Sequence, residues 1–280
     1  MGYPKSKKTS SFSSHLISKY FKDGPDVVFL NYGKPPILFG GHSYEKLTRK
    51  SRNTSRAWSY QLRSAISSLV PGDLFILGLD DYFLSKRVNQ VAYRNLLSHI
   101  AENRDCVGAK LGLWTSFNRS TTEPIENGLY RVARDSAWPV NTQLTIWRKE
   151  FITEYLRDLE TPWDFEHKGS RYYMGQTSQY IIGSYDPALS YPEPSALSKR
   201  HQNKVSVFAN QDEDIEFGIQ SGFFKETSLI LGQWNGHAPA FERGEDSHWL
   251  ALSYCSPKEY EYNYNILKQC MGPREETGRR

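Results

Sequence analysis

Two groups of carboxylates stand where their neighbours give them chemical opportunity. Asp80 and Asp81 follow directly on the apolar run Leu74-Phe75-Ile76-Leu77-Gly78-Leu79, which reads as a strand buried on both faces and as the central strand of a sheet. Ligands of open α/β sheets bind beyond the carboxyl ends of strands. Two adjacent hard oxygen donors there suit a divalent cation, Mn²⁺ or Mg²⁺, whose remaining positions take water and phosphate oxygens. The competing role for either aspartate is an ordinary cap of the following turn. The second group is Asp164 and Glu166, in Thr161-Pro162-Trp163-Asp164-Phe165-Glu166. Thr161 reads as an N-cap, Pro162 as the first helical residue and Asp164 as the reciprocal member of a capping box. That accounts for Asp164 but not for Glu166. Residues two apart on a helix point about 200° from each other, so at most one faces a cleft squarely, and Glu166 is the better base. The helix dipole keeps a carboxylate near an N-terminus ionised, as a group that accepts a hydroxyl proton near neutral pH requires. Gly169-Ser170-Arg171 reads as a flexible link with an anion or sugar-hydroxyl contact at Ser170 and Arg171.

Elements that could position these groups follow from periodicity. Phe12, Leu16, Ile17 and Tyr20 mark a helix stopped at Asp23-Gly24-Pro25, and Asp26 to Leu30 a short strand. Trp58, Leu62, Ile66 and Leu69 recur at helical spacing up to Pro71-Gly72. Asn89 to Asn103 reads as a helix, Cys106 to Leu111 as a strand, Trp114 to Gly128 as a long polar loop, Val140 to Trp147 as a strand and Lys149 to Leu159 as a helix. Alternation of this kind predicts an α/β sandwich. Beyond about residue 185 periodicity decays, and residues 271–280 have no apolar anchor.

Composition narrows the classes. The chain has 280 residues, 38% apolar and 24% charged, with a net charge of +4, which is globular and too weakly basic for a dedicated nucleic-acid or membrane-surface protein. No window approaches the roughly 18 apolar residues of a membrane span. With no apolar stretch after the basic N-terminus and only three separated cysteines, Cys106, Cys255 and Cys270, the expectation is a cytoplasmic protein with reduced thiols. Phosphate-loop, dinucleotide, nucleophile-elbow and His-Glu-x-x-His patterns are absent from the sequence. The seven histidines show no ligand spacing, leaving His201 and His237 as weak candidates.

The string Phe75-Ile-Leu-Gly-Leu-Asp-Asp-Tyr-Phe-Leu84, with the Trp58-Ser59-x-x-Leu62 helix before it and Thr161-Pro-Trp-Asp-Phe-Glu-His-Lys-Gly-Ser170 after it, resembles bacterial and viral glycosyltransferases of the A-type fold. The resemblance covers roughly residues 10 to 185. It implies a three-layer α/β/α catalytic domain with a mixed sheet over residues 1–190, an irregular extension over 191–270 and a tail over 271–280. The nucleotide-contacting strand with which that fold begins has no counterpart ahead of Phe12. The resemblance further implies a nucleotide-diphosphate sugar donor, with Asp81 as direct metal ligand and Asp80 near metal or ribose. Trp58, Ser59 and Arg56 would lie near the nucleotide. Glu166 or Asp164 would be the base toward a glycan or glycolipid hydroxyl, inverting the anomeric centre, with Trp163, Ser170 and Arg171 on the acceptor side.

Three other readings use the same residues. Arg49, Lys50, Arg52 and Arg56 could hold nucleic-acid phosphates, although the net charge argues against it. A non-catalytic relative could bind a glycan or a protein through a surface rich in aromatics, given 14 Phe, 7 Trp and 18 Tyr; Trp114, Trp163, Trp234 and Trp249 are the candidate sugar platforms, and Gln233 to His237 a candidate loop. A metal-dependent hydrolase is the weakest, because no second metal cluster can be read.

Overall fold

The structure is a computed structural model, and it describes residues 7–31, 35–46, 58–79, 82–112, 122–136, 138–176, 178–191, 205–208, 213–214, 217, 220–221, 240–243 and 249–252. In chain order the elements are α1 (Lys7–Tyr20), β1 (Val28–Asn31), β2 (Ser43–Lys46), α2 (Trp58–Leu69), β3 (Leu74–Leu77), α3 (Gln90–Glu102), β4 (Cys106–Lys110), β5 (Glu123–Pro124), β6 (Leu129–Arg131), β7 (Thr145–Arg148), α4 (Lys149–Tyr155), α5 (Pro162–Gly175), β8 (Tyr180–Ser184), β9 (Val205–Phe208), β10 (Ala240–Arg243) and β11 (Trp249–Leu252). No helix among the described residues is long and apolar enough to cross a membrane.

Six strands form a mixed sheet in the order β3-β7-β4-β8-β6-β5. Strand β7 runs antiparallel to both β3 and β4, and β4 is parallel to β8, so β3, β4 and β8 all point the same way. Side-chain alternation along these strands feeds two cores. Cys106, Ala109, Ile146 and Ile182 face one core together with Leu16 of α1 and Leu96 and Ile100 of α3. Val107, Trp147 and Ile181 face the other, with Leu62 and Ile66 of α2, Phe151 of α4 and Phe165 of α5. Helices thus cover both faces of an α/β sheet. Gly108 lets β4 and the Trp147 ring approach closely, since a Cβ there would stand 2.6 Å from the indole.

Several expectations are corrected. The apolar run 74–79 is not the central strand: β3 lies at the sheet edge among the described strands and pairs only with β7. Because helices cover both faces, an edge strand is as apolar as a central one, and the strand buried along its whole length is β4. Residues 169–171 are not a flexible link but lie inside α5. Gly169 is demanded by packing, because a Cβ there would meet Val140 Cγ1 at 2.7 Å and the Tyr155 ring at 2.8 Å. The end of the expected polar loop 114–128 is taken into an antiparallel β5–β6 hairpin that runs from Glu123 to Arg131. The C-terminal region, expected to be irregular, contains the antiparallel sheet β10-β11-β9.

Local signals set the helix ends. Asn89 caps α3, its side chain accepting from the Ala92 amide at 3.2 Å, and Asn103 closes it. Arg148 Nε then donates to Cys106 O at 3.2 Å, and its Nη2 donates to Ile100 O and Asn103 O, fastening the end of α3 to the sheet. Asp214, 1% exposed, accepts from Lys19 Nζ at 2.6 Å and Tyr20 Oη at 2.5 Å on α1.

Candidate functional site

The carboxyl ends of β3 and β4 stand abreast, because Leu77 and Lys110 both pair with Thr145 of β7. Asp80 and Asp81, expected as metal ligands, lie just past β3 and outside the described residues, as do Arg56, the basic stretch 49–56, Trp114, Trp234, His201 and His237. Trp249 is described only as backbone of β11. Among the described residues no group of three His, Cys, Asp or Glu side chains is arranged to hold a metal ion.

What the described residues bring to this edge is a buried polar network. Lys110, the last residue of β4, is 1% exposed and donates from Nζ to Asn141 Oδ1 at 2.7 Å. Its ammonium also sits 5.3 Å from the centre of the Trp147 ring. Asn141 Nδ2 donates to Gln143 Oε1 at 3.0 Å, and the Gln143 amide returns a bond to Asn141 Oδ1 at 3.2 Å. The backbone amide and hydroxyl of Thr142 both donate to Glu166 Oε1, each at 2.8 Å. Burial lowers the Lys110 pKa to about 7, against the opposing pull of the Glu166 carboxylate. An amine that titrates near neutrality therefore stands within electrostatic reach of an anchored carboxylate, an arrangement suited to moving protons.

Helix α5 separates the two candidate bases. The Thr161 amide and hydroxyl donate to Asp164 Oδ2 at 3.0 and 2.8 Å, and the Asp164 amide donates back to Thr161 Oγ1 at 3.1 Å, completing the capping box. Lys168 Nζ lies 3.9 Å from the other Asp164 oxygen. Asp164 is thus engaged in holding the helix start. Glu166 turns to the opposite side, one oxygen fixed by Thr142 and Oε2 without a hydrogen bond among the described residues.

The remaining expected contacts divide by exposure. Trp163 is 46% exposed and three residues before Glu166, hence on the same side of α5; Arg171 is also exposed. Ser170 is buried, its hydroxyl donating to Val140 O at 3.0 Å and accepting from the Val140 amide at 3.3 Å. Trp58 is buried edge-on against Phe165, ring centres 5.4 Å apart, and its indole N–H has no hydrogen-bond partner among the described residues. Ser59 is fully buried, accepting on Oγ from the Glu160 amide at 2.9 Å and donating its own amide to Glu160 O at 3.3 Å. Trp58 and Ser59 therefore lock α2 to the start of α5.

Four participants escaped sequence reasoning: Lys110, Asn141, Thr142 and Trp138. A lysine closing an otherwise apolar strand, and the polar run Asn141-Thr142-Gln143 between Val140 and Leu144, were the available signals. Trp138 has a left-handed backbone, φ 62°, and is 40% exposed. Its ring meets the His167 ring edge-on at 4.2 Å, beside Glu166. A bulky residue in that conformation is strained and persists where surrounding structure fixes it, often at functional sites. Compared with known proteins, the chain matches no family model and has no significant similarity to any curated protein.

Proposed function

We propose that this chain is a glycosyltransferase that moves a sugar from a nucleotide-diphosphate donor to a hydroxyl of a glycan or glycolipid, with inversion. The observation that carries the reading is the state of Glu166: one carboxylate oxygen is anchored by Thr142 and the other is unbonded among the described residues, at the edge from which the chain continues into Asp80 and Asp81. In this reading the acceptor hydroxyl gives its proton to Glu166 Oε2 as its oxygen attacks the anomeric carbon. The bond to the diphosphate breaks on the far side, around an oxocarbenium-like centre. Lys110, in its protonated form, brings a positive charge within electrostatic reach of that base. Trp138 and Trp163 offer aromatic faces to the acceptor sugar beside that base. The proposal needs Asp81 and Asp80 as the ligands of Mn²⁺ or Mg²⁺, because the described part of the edge has no carboxylate cluster of its own. Bound there, the cation would offset charge on the departing diphosphate.

The test is thermal unfolding of the full chain with a panel of nucleotide-diphosphate sugars, with and without Mn²⁺. One donor is expected to raise the Tm in a metal-dependent way, since a ligand at a hundred times its Kd stabilises by about 2.7 kcal/mol. Silence toward every donor overturns the proposal. A second reading, a glycan-binding domain without catalysis, is favoured by the exposed Trp138 and Trp163; stabilisation by oligosaccharides but by no donor would establish it instead.

A further inference from the structure

Lys110 is a costly residue with which to close an interior strand. It is 1% exposed, and among the described residues its ammonium has one hydrogen-bond acceptor, Asn141 Oδ1 at 2.7 Å. An ammonium carries three donors, and a buried charge so thinly paired is often no better for stability than an apolar side chain of similar size. What the lysine contributes lies in its hold on Asn141.

The segment 140–144 bridges the end of β4 to α5. Both of its ends are fixed without Lys110: Val140 exchanges hydrogen bonds with the Ser170 hydroxyl at 3.0 and 3.3 Å, and the Leu111 amide donates to Leu144 O at 3.1 Å. The middle is closed by an Asx turn, in which Asn141 Oδ1 accepts the Gln143 amide at 3.2 Å while Asn141 Nδ2 donates to Gln143 Oε1 at 3.0 Å. Thr142 is the residue that this turn encloses, and its amide and hydroxyl both reach Glu166 Oε1 at 2.8 Å. The oxygen that shapes the turn is the same atom that Lys110 grips. A hold on Asn141 from the β4 side is thus passed, across one residue, to the carboxylate on the α5 side.

We propose that Lys110 is the positioning residue of Glu166: its ammonium, through Asn141, keeps Thr142 in the orientation that grips the carboxylate. The consequence for sugar transfer rests on the reading of Glu166 as the base; the positioning itself does not, and it is measured without turnover.

The test is amide hydrogen exchange and the ¹H–¹⁵N spectrum of the full chain carrying ¹⁵N-labelled threonine, at about pH 6, below the value of about 7 to which burial lowers Lys110, so that the amine is charged. Thr142 is assigned by the loss of its signal in Thr142→Ser, and Glu166→Gln marks where that signal falls without a carboxylate partner. In Lys110→Met the Thr142 amide is expected to lose protection by about three- to tenfold, as a weakened charge-assisted bond implies, and to move toward its position in Glu166→Gln. The Thr161 amide, bound to Asp164 Oδ2 at 3.0 Å on the same helix, should stay where it is, and the Tm should hold or rise. Asn141→Ala should displace Thr142 in the same direction with Lys110 still in place, which carries the test if Lys110→Met does not fold. An unmoved Thr142 amide in either folded variant, or Thr142 and Thr161 losing protection together as in a general loosening, would overturn the proposal. Failure of every sugar donor to bind would leave this result standing, and an unmoved Thr142 would leave the donor test standing.

Discussion

Thr142 grips Glu166 twice, its backbone amide and its hydroxyl both donating to Oε1 at 2.8 Å. The grip fixes the carboxylate without consuming its second oxygen.

That asymmetry separates two substitutions on one helix. Glu166→Gln should lower transfer or donor hydrolysis by about 10²- to 10⁴-fold, the usual contribution of a general base, at a stability cost of about 1 kcal/mol. Asp164→Asn should do the reverse, weakening the capping box by about 1 kcal/mol with activity largely kept. Steady-state kinetics alongside urea unfolding of both variants decides it; a dead Asp164→Asn with normal stability would transfer the base to Asp164.

Lys110 should make stability depend on pH. Its folded pKa is lowered from 10.5 to about 7 by burial, so between those values the unfolded chain holds a proton that the folded chain has released. Unfolding free energy therefore rises with pH across that window, with a slope approaching about 1.4 kcal/mol per pH unit for one group. Above pH 9 the buried Cys106 thiol, pushed up to about 12, acts oppositely: the unfolded chain loses that proton first and stability falls. Measured between pH 7 and 8.5, the rise should be present in the wild type and flattened in Lys110→Met. An unchanged slope would mean that Lys110 keeps its ordinary affinity for the proton.

Gly169→Ala sets helix propensity against packing. Alanine gains about 1 kcal/mol over glycine inside a helix, yet its Cβ would stand 2.7 Å from Val140 and 2.8 Å from the Tyr155 ring. Overpacking costs about 1–3 kcal/mol, and net destabilisation is expected, read as a lower Tm. A stabilised variant would show that Tyr155 can move aside.

How far the sequence foretold this structure depends on the range of the signal. The two ends of α3 and the capping box of α5 were legible because Asn89, Asn103, Thr161 and Asp164 act on residues three or four away. The place of β3 was not, since an unbroken apolar run reads the same in one dimension whether the strand is a fully buried centre like β4 or a half-buried edge like β3. Glu166 could be singled out by subtracting its helix neighbour, but its partner Thr142 is 24 residues distant and the partner of Lys110, Asn141, is 31 distant. No local pattern joins them. The burial of Ser59 and Ser170 was not legible for a related reason: a serine that closes a backbone contact in the interior looks the same in one dimension as one at the surface.

The bond from Lys19 to Asp214 spans 195 residues, and it has a consequence for biosynthesis. At about 5–20 residues per second, helix α1 is synthesised at least ten seconds or so before its anionic partner. During that interval Lys19, Tyr20 and His15 have no Asp214 to meet, so a chain released early would carry an incompletely secured amino-terminal helix, visible as faster proteolysis near residue 20 in nascent chains stalled short of Asp214.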